Sequence, residues 1–378
     1  MRSVVIAGFA RSPFTPAKKG ALARVRGDDI ATQVVKGLVA KTGIDVKDLE
    51  DVIVGCAFPE GEQGMNVARL IGFLAGLSRE TAATTVNRFC GSSMQAIHMA
   101  AGAIQMNAGE AFLCAGIESM SRVPMGGFNF LPNPKLAKEY PQAFVSMGVT
   151  AENLAKKFQI DRKAQQQMAV ESHAKAAAAQ QAGKFKDEIV AIVDGNLRVE
   201  DDGCIRPGTT QEVLDGLEPA FDKAGTVTAG TSSPLTDGVA AVLVCSSDYA
   251  NAHGLKPLAK IRSIAVAGCL PEIMGIGPVP ASAKALKRAG VKMQDLDLIE
   301  LNEAFAAQAL AVVQEAKMNP KKVNLDGGAI AIGHPLGASG ARITGKAAQL
   351  LQREGKELAL ATMCIGGGQG IATVLEAV

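Results

Sequence analysis

Apolar and polar positions along the 378-residue chain fall into blocks whose period changes from one block to the next. Short apolar runs such as 3-SVVIAGFA-10, 51-DVIVGCAF-58, 111-AFLCAGI-117 and 358-LALATMCI-365 predict buried strands. Between them, 92-SSMQAIHMAAGAIQM-106 and the stretch around 339–353 carry apolar and small residues at helical spacing. Alternation of this kind predicts an α/β protein with two α/β layers, each a mostly parallel sheet under helices.

The pattern repeats. The segments 40-AKTGIDVKDLEDVIVGCAF-58 and 287-KRAGVKMQDLDLIELNEAF-305 align without a gap. Gly43 and Gly290, Leu49 and Leu296, and Phe58 and Phe305 each stand 247 positions apart. Each copy reads as a helix end, a glycine cap, a short connector and an apolar strand. A match of this length argues for an internal duplication. Both copies continue into a glycine-bearing turn, an Ala-rich helix and a buried strand.

The stretch between the copies differs in character. Residues 119–150 are rich in Pro, Gly and Met, and 150-TAENLAKKFQIDRKAQQQMAVESHAKAAAAQQAGKF-185 predicts two polar, Ala-rich helices. An insertion over one mouth of the duplicated core is expected. This gives a first half over 1–118, completed by 235–256, an inserted loop domain over 119–234, and a second half over 257–378.

Composition narrows the class. The chain is 48% hydrophobic and 20% charged, with a net charge of +2 and interspersed signs, so it has no electrostatic footprint for nucleic acid. No apolar run reaches membrane-spanning length, and neither membrane insertion nor a nucleic-acid partner is expected. The start, 1-MRSVVIAGFARSPF, enters an apolar run at once, without the profile of a signal peptide. The seven cysteines are widely spaced with no CxxC pair, which argues against a disulfide framework or zinc site and for a reducing compartment. No metal site is expected.

Two of those cysteines stand where chemistry is possible. In 86-VNRFCGSSMQAIHMA-100, Cys90 lies at or just before a helix start, where free N–H groups and the helix dipole favour a thiolate. A buried spacer is the competing reading. Cys364, in 360-LATMCIGGGQG-370, ends a buried strand ahead of a glycine cluster, and it too reads equally as a core residue. Of four histidines, His334 alone sits in a glycine- and proline-fixed loop, 327-GGAIAIGHPLGASG-340. Asn302 and Glu303, in 299-IELNEAFAA-307, terminate an apolar strand, where Asn could equally cap a helix. Two nucleotide-site mimics fail: 340-GARITGKA-347 has Ala347 where Ser or Thr is required, and 366-GGGQG-370 runs into another strand.

Together the blocks VNRFCGSSMQA, NEAFAAQ, GGAIAIGHPLGASGAR and CIGGGQG resemble the thiolases, in family order and over essentially the whole chain. Within that family the chain is similar to the degradative 3-ketoacyl-CoA thiolases (acetyl-CoA acyltransferases) of bacterial fatty-acid β-oxidation. The resemblance implies a duplicated five-layer αβαβα core with an inserted loop domain that binds coenzyme A. It implies Cys90 as the nucleophile, with His334 activating it. His334, with a water held by Asn302, would stabilise the oxyanion of the substrate thioester. Cys364 would be the general acid and base, and amides of Cys90 and Gly366 would form a second oxyanion hole. Arg206 and Ser233 match family positions that contact CoA, and Met147, Phe221 and Phe305 would line the channel near the reacting carbon.

Two departures carry information. Ser146 stands where short-chain biosynthetic members place His, which implies a wider acyl pocket, and Glu218 stands where many relatives carry a basic residue. The resemblance also implies CoA as co-substrate with no resident cofactor, and a homodimer or homotetramer. It implies a β-oxidation hydratase/dehydrogenase subunit as a further partner. The setting would be cytoplasmic in a bacterium or the mitochondrial matrix in a eukaryote. The alternatives are a biosynthetic acetoacetyl-CoA thiolase, a decarboxylating ketoacyl synthase, and a non-catalytic CoA- or lipid-binding relative. The Cys/His/Asn set with a second cysteine disfavours the last two.

Overall fold

A computed structural model describes residues 2–378. The first copy of the repeat runs β1 (Val4–Arg11), β2 (Thr15–Pro16), α1 (Gly27–Thr42), β3 (Leu49–Gly55), α2 (Val67–Ala75), β4 (Ala82–Val86), α3 (Ser92–Gln105) and β5 (Ala111–Ser119). Then come α4 (Pro134–Glu139), α5 (Met147–Lys157), α6 (Arg162–Gln181), the ribbon β6 (Ile192–Asp194) and β7 (Leu197–Val199), and α7 (Gln211–Asp215). The chain returns as β8 (Thr236–Ser246) and α8 (Ser247–Ala252). The second copy comprises β9 (Ala259–Gly268), α9 (Pro278–Ala289), β10 (Leu298–Leu301), α10 (Ala306–Glu315), α11 (Ala329–Ile332), α12 (Leu336–Glu354), β11 (Leu358–Ile365) and β12 (Gln369–Glu376).

The sequence repeat is a structural one. Gly43 ends α1 and Gly290 ends α9, both with φ of +70°, a conformation open to glycine but costly for a residue with Cβ. Each is followed by one turn of 3-10 helix and then the strand.

Main-chain hydrogen bonds join the strands in the order β10-β11-β12-β9-β1-β8-β5-β3-β4, and the two halves meet at β1 and β9 through Val5–Lys260 and Ile6–Ala259. The expectation of mostly parallel sheets is not met. β3 is parallel to β4 and β5, and β10 to β11, but every other neighbouring pair in that order is antiparallel. The reason is local to each half. β12 turns back on β11 through Gly366–Gly368, and β8 re-enters beside β5 after the insertion. Parallel pairing needs a crossover, and only part of each half has one.

Burial follows three levels. One core lies between the first-half strands and α1 and α2, another between the second-half strands and α9 and α10, and a third surrounds α3 and α12 between the halves. Helices thus form two outer layers and a central one, with strands between, which is the five-layer core. α12 is buried along nearly its whole length, and its small residues make that possible. A Cβ on Gly340 would stand 2.4 Å from the Met94 backbone nitrogen on α3, and one on Gly345 would meet the Phe9 ring at 2.2 Å. The segment that mimics a phosphate loop is therefore the middle of a packed helix.

The insertion is tied to this core by buried charge. Lys346 on α12 lies 2.8 Å from both Glu188 and Asp326, and Arg11 on β1 pairs with Glu188 and Asp202. α6 packs on α10 and α11. Among the described residues no helix is long and apolar enough to cross a membrane.

Candidate active site

Four turns at one end of the strands carry the chemistry. Cys90 follows β4 and precedes α3, whose N-cap is Gly91. Gly91 has no room for a side chain, since a Cβ would meet Ile365 at 2.6 Å. Asn302 follows β10, and its N–H reaches Thr362 O on β11 at 3.1 Å. Cys364 is the next-to-last residue of β11, ahead of the turn Gly366–Gly368. His334 stands between α11 and α12, after Gly333, whose φ of +109° suits glycine alone.

These side chains are buried, at 9% exposure for Cys90, 4% for His334, 1% for Cys364 and none for Asn302. The N–H groups of Gly366 and of Cys90 itself point at the Cys90 sulfur, and Cys364 lies close enough to feel the Cys90 charge. Asn302 Nδ2 approaches His334 Nε2 at 3.4 Å, while the Asn302 carbonyl oxygen is buried without a partner. A buried amide oxygen left open in a polar hollow is suited to a water.

Burial dominates the electrostatics. It pushes the Cys90 thiol up to about 12, against the two N–H groups and with a further upward push from Glu118. It holds the Cys364 thiol well above the usual range, the Cys90 charge adding to the effect. It lowers His334 to about 3, helped by the Arg342 guanidinium. The thiolate expected from the helix start is thus not the resting state. The amides are where the sequence puts them, but desolvation of the charged form outweighs them. At neutral pH the site holds two thiols and a neutral imidazole.

The imidazole's tautomer is set by Ser339. That hydroxyl lies 3.1 Å from Pro335 O, to which it donates, and it also contacts His334 Nδ1. With its proton on Pro335 O it accepts from Nδ1–H, the arrangement that leaves the Nε2 lone pair facing the Asn302 amide Nδ2. Glu118, fully buried on β5, accepts from the N–H groups of Ala57, Phe58 and Gly337 and from Gln63. It ties the turn after β3 to the first residues of α12, just beyond His334. Sequence reading missed both residues. Glu118 left a signal as the sole carboxylate in an apolar strand, whereas Ser339 left none beyond its place on the first turn of a helix.

An apolar wall closes the hollow. Met147, Met274, Phe305 and Cys364 belong to one buried cluster, and Phe221 stacks edge-on to Phe305 at 5.8 Å. Gly148 is covered so closely by Phe221 that no side chain would fit there. The Ser233 hydroxyl donates to Ala304 O at 3.0 Å and joins the insertion to the Asn302 turn. Arg206 is not part of this cluster. It is exposed at the rim of a cavity of about 120 Å³ that His173, Cys204, Ser232 and Pro234 also line. Glu218 is exposed.

Comparison with known proteins gives the family. Residues 4–248 match the thiolase N-terminal domain and residues 255–377 the thiolase C-terminal domain. The chain belongs to the thiolase family. It is 50% identical over 389 residues to the 3-ketoacyl-CoA thiolase of Idiomarina loihiensis and 46% identical to that of Bacillus subtilis, with the full length of each chain covered. Its fold superimposes on the crystal structure of human mitochondrial 3-ketoacyl-CoA thiolase with a TM-score of 0.93 at 39% identity, covering 100% of this chain and 99% of that one. A structure of the same human enzyme in complex with CoA gives 0.92 at 38% identity, covering 100% and 98%. As a thiolase the chain is an acyltransferase, and CoA is its co-substrate.

Proposed function

We propose that this thiolase cleaves 3-ketoacyl-CoA esters with CoA, giving acetyl-CoA and an acyl-CoA two carbons shorter, in the degradative direction of fatty-acid β-oxidation. The observation that carries the reading is the pair of buried, mutually interacting thiols, Cys90 and Cys364, with the Gly366 amide on Cys90 and a neutral buried imidazole paired to Asn302.

In the first half-reaction His334 Nε2 takes the Cys90 proton as sulfur attacks the 3-keto carbon. The N–H groups of Cys90 and Gly366 hold the resulting oxyanion. The bond between carbons two and three then breaks, and its electron pair passes into the CoA thioester as an enolate. Protonated His334 and a water on Asn302 stabilise that charge. Cys364 gives its proton to carbon two and releases acetyl-CoA. In the second half-reaction the Cys364 thiolate takes the proton of incoming CoA, whose sulfur attacks the acyl-Cys90 thioester. Cys90 leaves and recovers its proton from His334, so every proton is returned. A thioester suits this exchange because the acyl group moves between thiols of similar leaving ability.

CoA would run from Arg206 past Ser233 toward Met147, Phe221 and Phe305, with its sulfur between the two cysteines. Ser146 supports substrates longer than acetoacetyl-CoA. It is exposed at the N-cap of α5, directly before Met147, and its small side chain makes no capping bond. We also place the enzyme in the cytoplasm, on its seven unpaired cysteines, and as a homodimer or homotetramer. The edge strand β4 and the exposed Leu70, Phe73 and Leu74 of α2 support an assembly.

The test is kcat/KM for 3-ketoacyl-CoA substrates of four to sixteen carbons. Medium chains should be cleaved at least as well as acetoacetyl-CoA. Ser146→His should lower the longer substrates by about one to two orders of magnitude, from a few methylene contacts at about 0.8 kcal/mol each. Activity on acetoacetyl-CoA alone would overturn the degradative reading in favour of the biosynthetic one.

A further inference from the structure

We propose that Phe89 is a specificity-determining residue, its ring forming the wall along which the acyl chain leaves the reacting sulfur. The inference rests on the reading that Cys90 carries an acyl group and adds where the tail goes.

The residue before the nucleophile is an aromatic in the left-handed region, with φ of +43°. That conformation is uphill for any side chain with a Cβ, and more so for a bulky one. It is held in place by the Asn87 side-chain oxygen Oδ1, which accepts the Phe89 N–H at 2.8 Å. Burial does not compensate for the strain, because Phe89 is 40% exposed while Cys90 beside it is 9% exposed. A glycine would relax the turn, so an aromatic here points to a use for the ring.

Its surroundings indicate which use. A Cβ built on Gly366 would lie 3.6 Å from the Phe89 ring and 3.6 Å from the Met147 sulfur, so the two side chains flank the amide that points at Cys90. Past Phe89 lies Phe58, at 6.2 Å between ring centres and tilted by 50°. The lining beside the Gly366 amide is thus apolar: Met147 and Phe89, with Phe58 beyond Phe89. A surface of this kind fits an unbranched alkyl chain and offers nothing to the polar pantetheine arm.

The experiment compares Phe89→Ala and Phe89→Leu through the ratio of kcat/KM for 3-ketooctanoyl-CoA to that for acetoacetyl-CoA. The ratio cancels general damage to the turn. It should fall about tenfold in the alanine variant and less in the leucine variant. A ratio unchanged or rising in both, with wild type still cleaving the eight-carbon substrate, overturns the assignment and leaves the proposed reaction standing. A second readout does not depend on thiolysis: labelling of Cys90 by alkyl methanethiosulfonates of one to eight carbons, followed by peptide mass spectrometry. Wild-type rates should rise with chain length, and the alanine variant should lose that rise. Chain-length-dependent labelling in an enzyme that cleaves no 3-ketoacyl-CoA would support the wall and overturn the reaction. Labelling indifferent to length in wild type would overturn the wall itself.

Discussion

A sulfur nucleophile beside a helix start is usually expected to rest as a thiolate. Cys90 is deeper than that expectation allows, and burial holds its proton on. The pH dependence follows from the sign. With the thiol raised to about 12, the thiolate fraction grows tenfold with each pH unit through the neutral and mildly alkaline range. Alkylation of Cys90 by iodoacetamide should therefore climb steadily from pH 7 to pH 10. A plateau at or below pH 8 would indicate a thiolate–imidazolium pair and contradict the neutral ground state. His334→Asn should lower kcat for thiolysis at neutral pH about 10²-fold by removing the proton acceptor. An unchanged rate would remove His334 from activation. Residue by residue, the sequence pointed to types and places but not to depth. Desolvation is a property of what packs around a side chain, so the direction of the thiol's shift was not legible. Nor was the contact of Ser339 with His334, while Glu118 left only the mark of a lone carboxylate in an apolar strand.

Among the elements, α12 is the one on which both halves depend. Its glycines are contact positions rather than turn signals, and that distinction can be measured. Gly340→Ala would place a methyl group against the Met94 backbone, and should destabilise the fold by about 1–3 kcal/mol as an overpacked core does. Gly102→Ala, on α3 with nothing within 4 Å of the new Cβ, should be neutral or stabilise by up to about 1 kcal/mol. Urea midpoints for the two variants check this, and equal effects would contradict the packing described. The helices and strands of each half were legible because period and glycine caps are local. Strand direction was not. It depends on how β8 returns from the insertion and how β12 folds back on β11, and neither event leaves a periodic signal.

On the scale of the whole molecule, duplication explains why the site is assembled as it is. The turns that carry Cys90 and His334 precede the paired central helices α3 and α12, and the turn after β10 and the end of β11 bring Asn302 and Cys364 to the same end. The inserted segment covers that end and is fastened by the buried ion pairs of Arg11, Glu188, Asp202, Lys346 and Asp326. Breaking such a pair is costly because the remaining charge has no water to turn to, so the insertion and core are expected to stay joined. The central claim is that Cys90 takes the acyl group of a 3-ketoacyl-CoA. Mixing the enzyme with 3-ketooctanoyl-CoA in the absence of free CoA, then measuring intact and peptide masses, tests it most directly. The account predicts a hexanoyl group on Cys90 alone, removed when CoA is added. An adduct on Cys364 or elsewhere, or none at all while acetyl-CoA is released, would contradict it.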